Sequence, residues 1–121
     1  MQEQIVNFET AKLAKERGFT ESCWQWYDTI GNIKEHKFST TSNRYDDELA
    51  APTQSLLQKW LREIHGIHID FQYDLESDMK TINVSFSVIN NEGSLYNEKK
   101  EYLKYEEALE EGLQQALELI H

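Results

Sequence analysis

Two hydrophobic periods run through this chain. Between Thr53 and His65, Leu56, Leu57, Trp60, Leu61 and Ile64 fall within an arc of about 140° at 100° per residue. Ser55, Gln58, Lys59, Arg62 and Glu63 take the opposite side. The pattern predicts a helix that starts near Pro52 or Thr53 and stops at Gly66. A second helix is predicted from Tyr105 to about Ile120. Ala108, Leu109, Gly112, Leu113, Ala116, Leu117 and Ile120 line its apolar face, and Glu107, Glu110, Glu111, Gln114, Gln115 and Glu118 its polar one. Gly112 lies on the apolar side, where a mid-helix glycine costs about 0.8–1 kcal/mol relative to Ala. It reads as a point of close approach between helix and sheet. A third helix, Phe8 to Arg17, has a thinner stripe of Thr10, Leu13, Ala14 and Arg17, with Asn7 as N-cap and Gly18 after its last turn. It is expected at the rim of the core.

The other period is two. Ile67, Ile69, Phe71 and Tyr73 alternate with His68, Asp70, Gln72 and Asp74, and Ile82, Val84, Phe86 and Val88 with Asn83, Ser85 and Ser87. Each predicts a strand with one face on a core and one face wet. The short Leu75 to Lys80 connection makes the pair an antiparallel hairpin. Leu95 to Leu103 adds an edge strand after a turn at Asn90 to Ser94, with Lys99 and Lys100 guarding the edge. Upstream, the aromatic Cys23 to Thr29 run and the weaker Ile33 to Phe38 run flank a turn at Ile30-Gly31-Asn32. Ser39 to Glu48 is polar and reads as a mobile loop. The order α-β-β-α-β-β-(β)-α, built from neighbouring hairpins, predicts a single α+β domain over residues 1–121. It has two layers, an antiparallel sheet and helices.

Composition narrows the classes. The chain has 121 residues, with 22 Asp and Glu against 12 Lys and Arg, a formal charge of -10. That balance argues against nucleic acid and anionic membranes, which Lys and Arg must meet. Lys59 and Arg62 on the middle helix are thin support for a nucleic-acid role. Aromatics at 12% speak for a folded chain. Cys23 is the only cysteine, so no intrachain disulfide is expected. The opening residues lack a basic and an apolar signal region, and no apolar run reaches membrane length, so a cytoplasmic protein is expected. Asn83-Val84-Ser85 fits a glycosylation pattern but falls inside a predicted strand and reads as chance.

Candidate chemistry is sparse. His65-Gly66-Ile67-His68 with Asp70 invites a metal reading or a small-ligand pocket. Gly66, however, interrupts the helix between the two histidines, and a zinc site needs three or four ligands. His36 and Cys23 complete such a set only through the fold. The plainer reading is a helix-end His65 and a solvent-facing His68. Cys23 beside a histidine would be a nucleophile, but a lone cysteine among tryptophans reads as a small apolar core residue. Asp46-Asp47-Glu48 lacks the spacing of a calcium loop. No phosphate loop or hydrolase elbow is present. No catalytic residue and no cofactor is expected. Alternation places Trp24 and Trp26 on one side, as core or as a stacking platform, with Tyr27 exposed.

Two runs carry a resemblance. They are Ala51-Pro52-Thr53-Gln54-Ser55-Leu56-Leu57-Gln58-Lys59-Trp60-Leu61-Arg62-Glu63, continuing to Ile69, and Tyr105-Glu106-Glu107-Ala108-Leu109-Glu110-Glu111-Gly112-Leu113-Gln114-Gln115-Ala116-Leu117. With Lys15-Glu16-Arg17-Gly18-Phe19, they resemble small proteins encoded by phages and other mobile elements of Bacteroides-type gut bacteria. The resemblance implies a mobile-element setting and a compact α+β fold, and brings no activity. Members often carry Ser or Thr, a natural N-cap, before the Tyr-Glu-Glu-Ala run, where this chain has Lys104.

By segment, the acidity is local. Residues 67–121 hold 12 acids and 4 bases, whereas residues 31–66 balance at 5 and 5. The expected function is a non-enzymatic interaction module that meets a basic host or mobile-element protein. Glu107, Glu110, Glu111, Glu118 and Tyr27 are the candidate contacts. A homodimer through the Trp24 to Tyr27 stretch is a further possibility.

Overall fold

The computed structural model describes residues 4–40, 48–98 and 100–120. Its elements run α1 (Phe8–Glu16), β1 (Cys23–Tyr27), β2 (Ile33–Thr40), β3 (Leu49–Ala50), α2 (Gln54–His65), β4 (His68–Leu75), β5 (Ile82–Asn90), β6 (Gly93–Asn97) and α3 (Tyr105–Glu118). The class is α+β. The strands divide between two antiparallel sheets, ordered β2-β1-β3 and β4-β5-β6. The two-residue β3 emerges just after the polar stretch read as a loop, of which residues 41–47 lie outside the described ones, as does Lys99.

The caps explain where the helices sit. Asn7 accepts the Thr10 N–H at 2.9 Å, and Thr53 accepts the Leu56 N–H at 3.2 Å. Each satisfies a donor that a helix start leaves orphaned. Gly66 ends α2 in the left-handed region, φ 65°, and its N–H reaches back to Arg62 O. Pro52 lies just outside the helix, and its carbonyl accepts the Val6 N–H at 3.0 Å. α3 starts at Lys104 without a side-chain cap.

α3 is the hub. It lies on β4 and β5, and α1 and α2 pack against it. Leu57, Leu61, Val88, Leu113 and Leu117 are fully buried around it, each stabilising the fold by roughly 1.5–3 kcal/mol. Gly112 marks the closest approach to the sheet. A Cβ there would stand 2.9 Å from Ile69 Cγ2 and 3.4 Å from Phe86 Cδ2. α1 sits deeper than its thin stripe suggested, because Thr10, Ala11 and Ala14 are small and all buried against the neighbouring elements.

Three expectations are corrected. In β1 the inward set is Cys23 and Tyr27, not the tryptophans. Tyr27 is only 7% exposed and donates its hydroxyl to Val6 O at 2.7 Å, while Trp24 is 61% exposed. Tyr27 is therefore a core residue and not the exposed side chain expected. Ile64 is exposed in the last turn of α2. At the far end of the β4–β5 hairpin, Tyr73 (59%) and Ile82 (53%) are exposed although they share the core-facing side. No described helix is long and apolar enough to cross a membrane.

Candidate functional site

Helical geometry brings Glu107, Glu111 and Glu118 within about 40° of one another around α3. All three are exposed, and none is held by a Lys or Arg among the described residues. β6 and the run after it bring two phenols and a fourth carboxylate to the same side. Tyr96 donates to Glu98 Oε2 at 3.3 Å, and its ring stacks on Phe86 with centroids 5.9 Å apart. Tyr102 is buried and stacks on the same Phe86 at 6.3 Å. Burial, then the negative field of Glu98 and Glu111, pushes the Tyr102 phenol up to about 12. The Tyr96 phenol is raised too, by desolvation first, then by Glu98, with Glu111 and Glu118 contributing. Glu98 and Glu111 thus stand near both phenols, and Glu118 near that of Tyr96. Lys100 Nζ sits 5.0 Å from the centre of the Tyr102 ring. Beside it, a hollow of about 530 Å³ runs between the Lys100 to Lys104 segment and Glu107, Glu110 and Glu111.

Glu110 is a different kind of residue from its neighbours. Its Oε2 accepts the Asn7 N–H at 3.0 Å and the Thr10 hydroxyl, and its Oε1 accepts Gln54 Nε2 at 3.0 Å. Gln54, itself buried, also donates to Glu106 O at 2.9 Å, and Gln114 Nε2 donates to Thr10 Oγ1 at 2.9 Å. One carboxylate thus ties the starts of α1 and α2 to α3. It also sits at the positive end of α1. Glu110 leaves the candidate partner surface and becomes a structural clamp.

The metal constellation does not assemble. His65 packs edge-on against Trp60, ring centroids 4.7 Å apart, at the end of α2. His68 and Asp70 point from β4 to the open face of the sheet, in register with Ile89 and Ser87 of β5. Among the described residues no group of three His, Cys, Asp or Glu is placed to hold a metal ion. His36 falls in β2, and Asp46 and Asp47 lie outside the described residues. Cys23 is buried, with its thiol directed to Glu21 O at 3.6 Å. Burial, then the charge of Glu21, pushes that thiol up to about 12, so at neutral pH it is a protonated, unreactive group.

No protein-family model, curated protein or solved structure matches the chain. Sequence reasoning found Glu107, Glu111 and Glu118 from their helical spacing. It missed Glu98, Tyr96 and Tyr102, which reach the site only because β6 returns beside β5. The available signal was the predicted edge strand itself, whose alternate residues must face the same side as the helix on the sheet.

Proposed function

We propose that this chain is a non-enzymatic protein-interaction module that binds a basic partner. The observation that carries the reading is the exposed row of Glu107, Glu111 and Glu118, the last two lying close to Glu98, with no Lys or Arg in ion-pair contact with the row among the described residues. Such a row steers a positively charged partner and fixes its orientation more than it adds raw affinity. The two runs that resemble proteins of phages and mobile elements support a mobile-element setting and a cytoplasmic host or element protein as the partner.

Affinity capture from bacterial lysate at low salt tests this. The wild-type chain should retain a basic protein that high salt releases, and the E107K/E111K/E118K variant should not. Equal recovery by both chains, or recovery insensitive to salt, overturns the reading.

A further inference from the structure

A second surface, away from the α3 face, has the build of a strand-docking edge. β4 ends its sheet, and its outer edge pairs with no described strand. The direction of its backbone groups follows from β5. Val84 exchanges both backbone hydrogen bonds with Tyr102, each 2.7 Å, and Phe86 O accepts from Glu98 N. Those groups of β5 thus point away from β4. In an antiparallel ladder the residues opposite them, Tyr73 and Phe71, must likewise turn their N–H and C=O away from β5, towards the open edge. Leu75 follows by the same alternation. Three alternate residues, Phe71, Tyr73 and Leu75, therefore offer donors and acceptors to an incoming chain, whereas Ile69 further along is buried.

Of the usual edge protections this strand carries only acidic side chains, which repel a second copy but not a basic strand. β4 has no Lys, Pro or Gly, and its register with β5 runs without a bulge. What it carries is acid. Asp70 and Asp74 stand exposed on its open face, and residues 67–80 hold four acids and one Lys. On the other face, Tyr73, Leu75 and Ile82 form an uncovered apolar surface. Two copies meeting along this edge would bring these acidic hairpins together within chains that each carry a charge of -10.

We propose that the free edge of β4 binds an extended segment of another protein that alternates basic with apolar residues. The segment adds a fourth strand to the sheet. Its backbone meets Phe71 and Tyr73, its apolar side chains extend the surface of Tyr73 and Leu75, and its Lys or Arg side chains stand opposite Asp70 and Asp74. The site is separate from Glu107, Glu111 and Glu118, so either surface can fail alone.

The test uses the full chain and two synthetic peptides of identical composition, each as long as the eight residues of β4. One alternates Lys and Val, and the other carries all its Lys before all its Val. Calorimetry should show the alternating peptide binding about tenfold tighter or better. Hydrogen exchange should slow at the amides of Phe71 and Tyr73. D70K/D74K should weaken that binding by about tenfold or more, and E107K/E111K/E118K should change it by less than about twofold. If D70K/D74K fails to fold, D70N/D74N takes its place with a smaller loss in the same direction. Equal binding of both peptides, protection elsewhere than β4, or no binding at all overturns the proposal. So does light scattering that shows a dimer whose β4 amides are already protected, since the occupant is then a second copy. Loss of binding with E107K/E111K/E118K alone would leave the acidic-module reading standing and remove the β4 site.

Discussion

The β4–β5 hairpin carries one apolar face from end to end, yet its two halves live in different surroundings. Near the start of β4, Ile69, Phe86 and Val88 lie beneath α3 and are buried. Near the turn, Tyr73, Leu75 and Ile82 continue the same face and are exposed. Placement explains the difference. α3 begins only beside Phe71, where the Tyr105 and Phe71 ring centroids are 4.7 Å apart, and then runs towards Ile69, so the part of β4 beyond Phe71, roughly 13 Å at 3.3 Å per residue, lies past the helix. The sheet therefore outruns its helix. Alternation says which face is apolar, and only the neighbouring element decides how much of that face is covered.

The covered half breaks first. In Gly112→Leu the Cβ alone meets Ile69 Cγ2 at 2.9 Å, with three more carbons to place. The leucine regains about 0.8 kcal/mol of helix propensity but overpacks the contact. A net loss of about 3 kcal/mol is expected in chemical denaturation. Ile69→Ala should cost about 2–4 kcal/mol, whereas Tyr73→Ala, two residues along the same face, should cost under about 1 kcal/mol. Equal losses for the last two would mean that the outer half is as well packed as the inner one, and the contrast would be gone.

A second contrast lies within α3 itself. Glu110→Ala leaves the Asn7 N–H, the Thr10 hydroxyl and one Gln54 bond without their acceptor. A loss of about 1–3 kcal/mol is expected. Glu111→Ala, one residue on and solvent-facing, should stay within about 0.5 kcal/mol. Thermal unfolding of the two variants side by side separates the clamp from the partner surface. If Glu111→Ala proved the costlier of the two, the roles assigned to these carboxylates would be reversed.

How much of this was legible in the sequence depended on how local the cause was. α2 was readable almost to the residue because Thr53 and Gly66 act within their own turns. Gly112 was readable because a glycine on an apolar stripe has few other uses. The core reading of the β1 tryptophans failed for a physical reason. A five-residue strand admits two phases, and bulk favours placing Trp24 and Trp26 inside. The choice was made instead by the space beside Val6, whose carbonyl receives the Tyr27 hydroxyl. Glu110 was misread similarly. On the helical wheel it belongs to the polar face, and its partners Asn7, Thr10 and Gln54 lie 103, 100 and 56 residues away. Contacts over such separations leave no mark on local periodicity. The division of the strands into two sheets belongs to the same class, since hairpins are local and the joining of hairpins is not.

The smallest expected effect sharpens the view of the open half. Met79, in the turn of the hairpin, has φ 63° and is largely exposed. A side chain in that region is strained, and glycine is not. The turn keeps its other supports. The Met79 N–H donates to Glu76 O at 2.9 Å, and Asp78 Oδ1 accepts the N–H groups of Lys80 and Thr81 at 2.8 and 2.9 Å. Those bonds hold the Asp78 carboxyl below its ordinary range. Met79→Gly relieves the strain but gives the unfolded chain more freedom, worth about 0.4–1 kcal/mol in the other direction. The balance should be a stabilisation of a few tenths of a kcal/mol, or a rise in Tm of about 1–2 °C. The same substitution removes a large apolar side chain from the end where Leu75 and Ile82 stand open. If those residues packed with Met79 into a closed cluster, Tm would fall by several degrees instead. A small rise therefore means that the hairpin end is held by its turn and not by a core, which leaves Tyr73 and Leu75 free to meet an incoming strand.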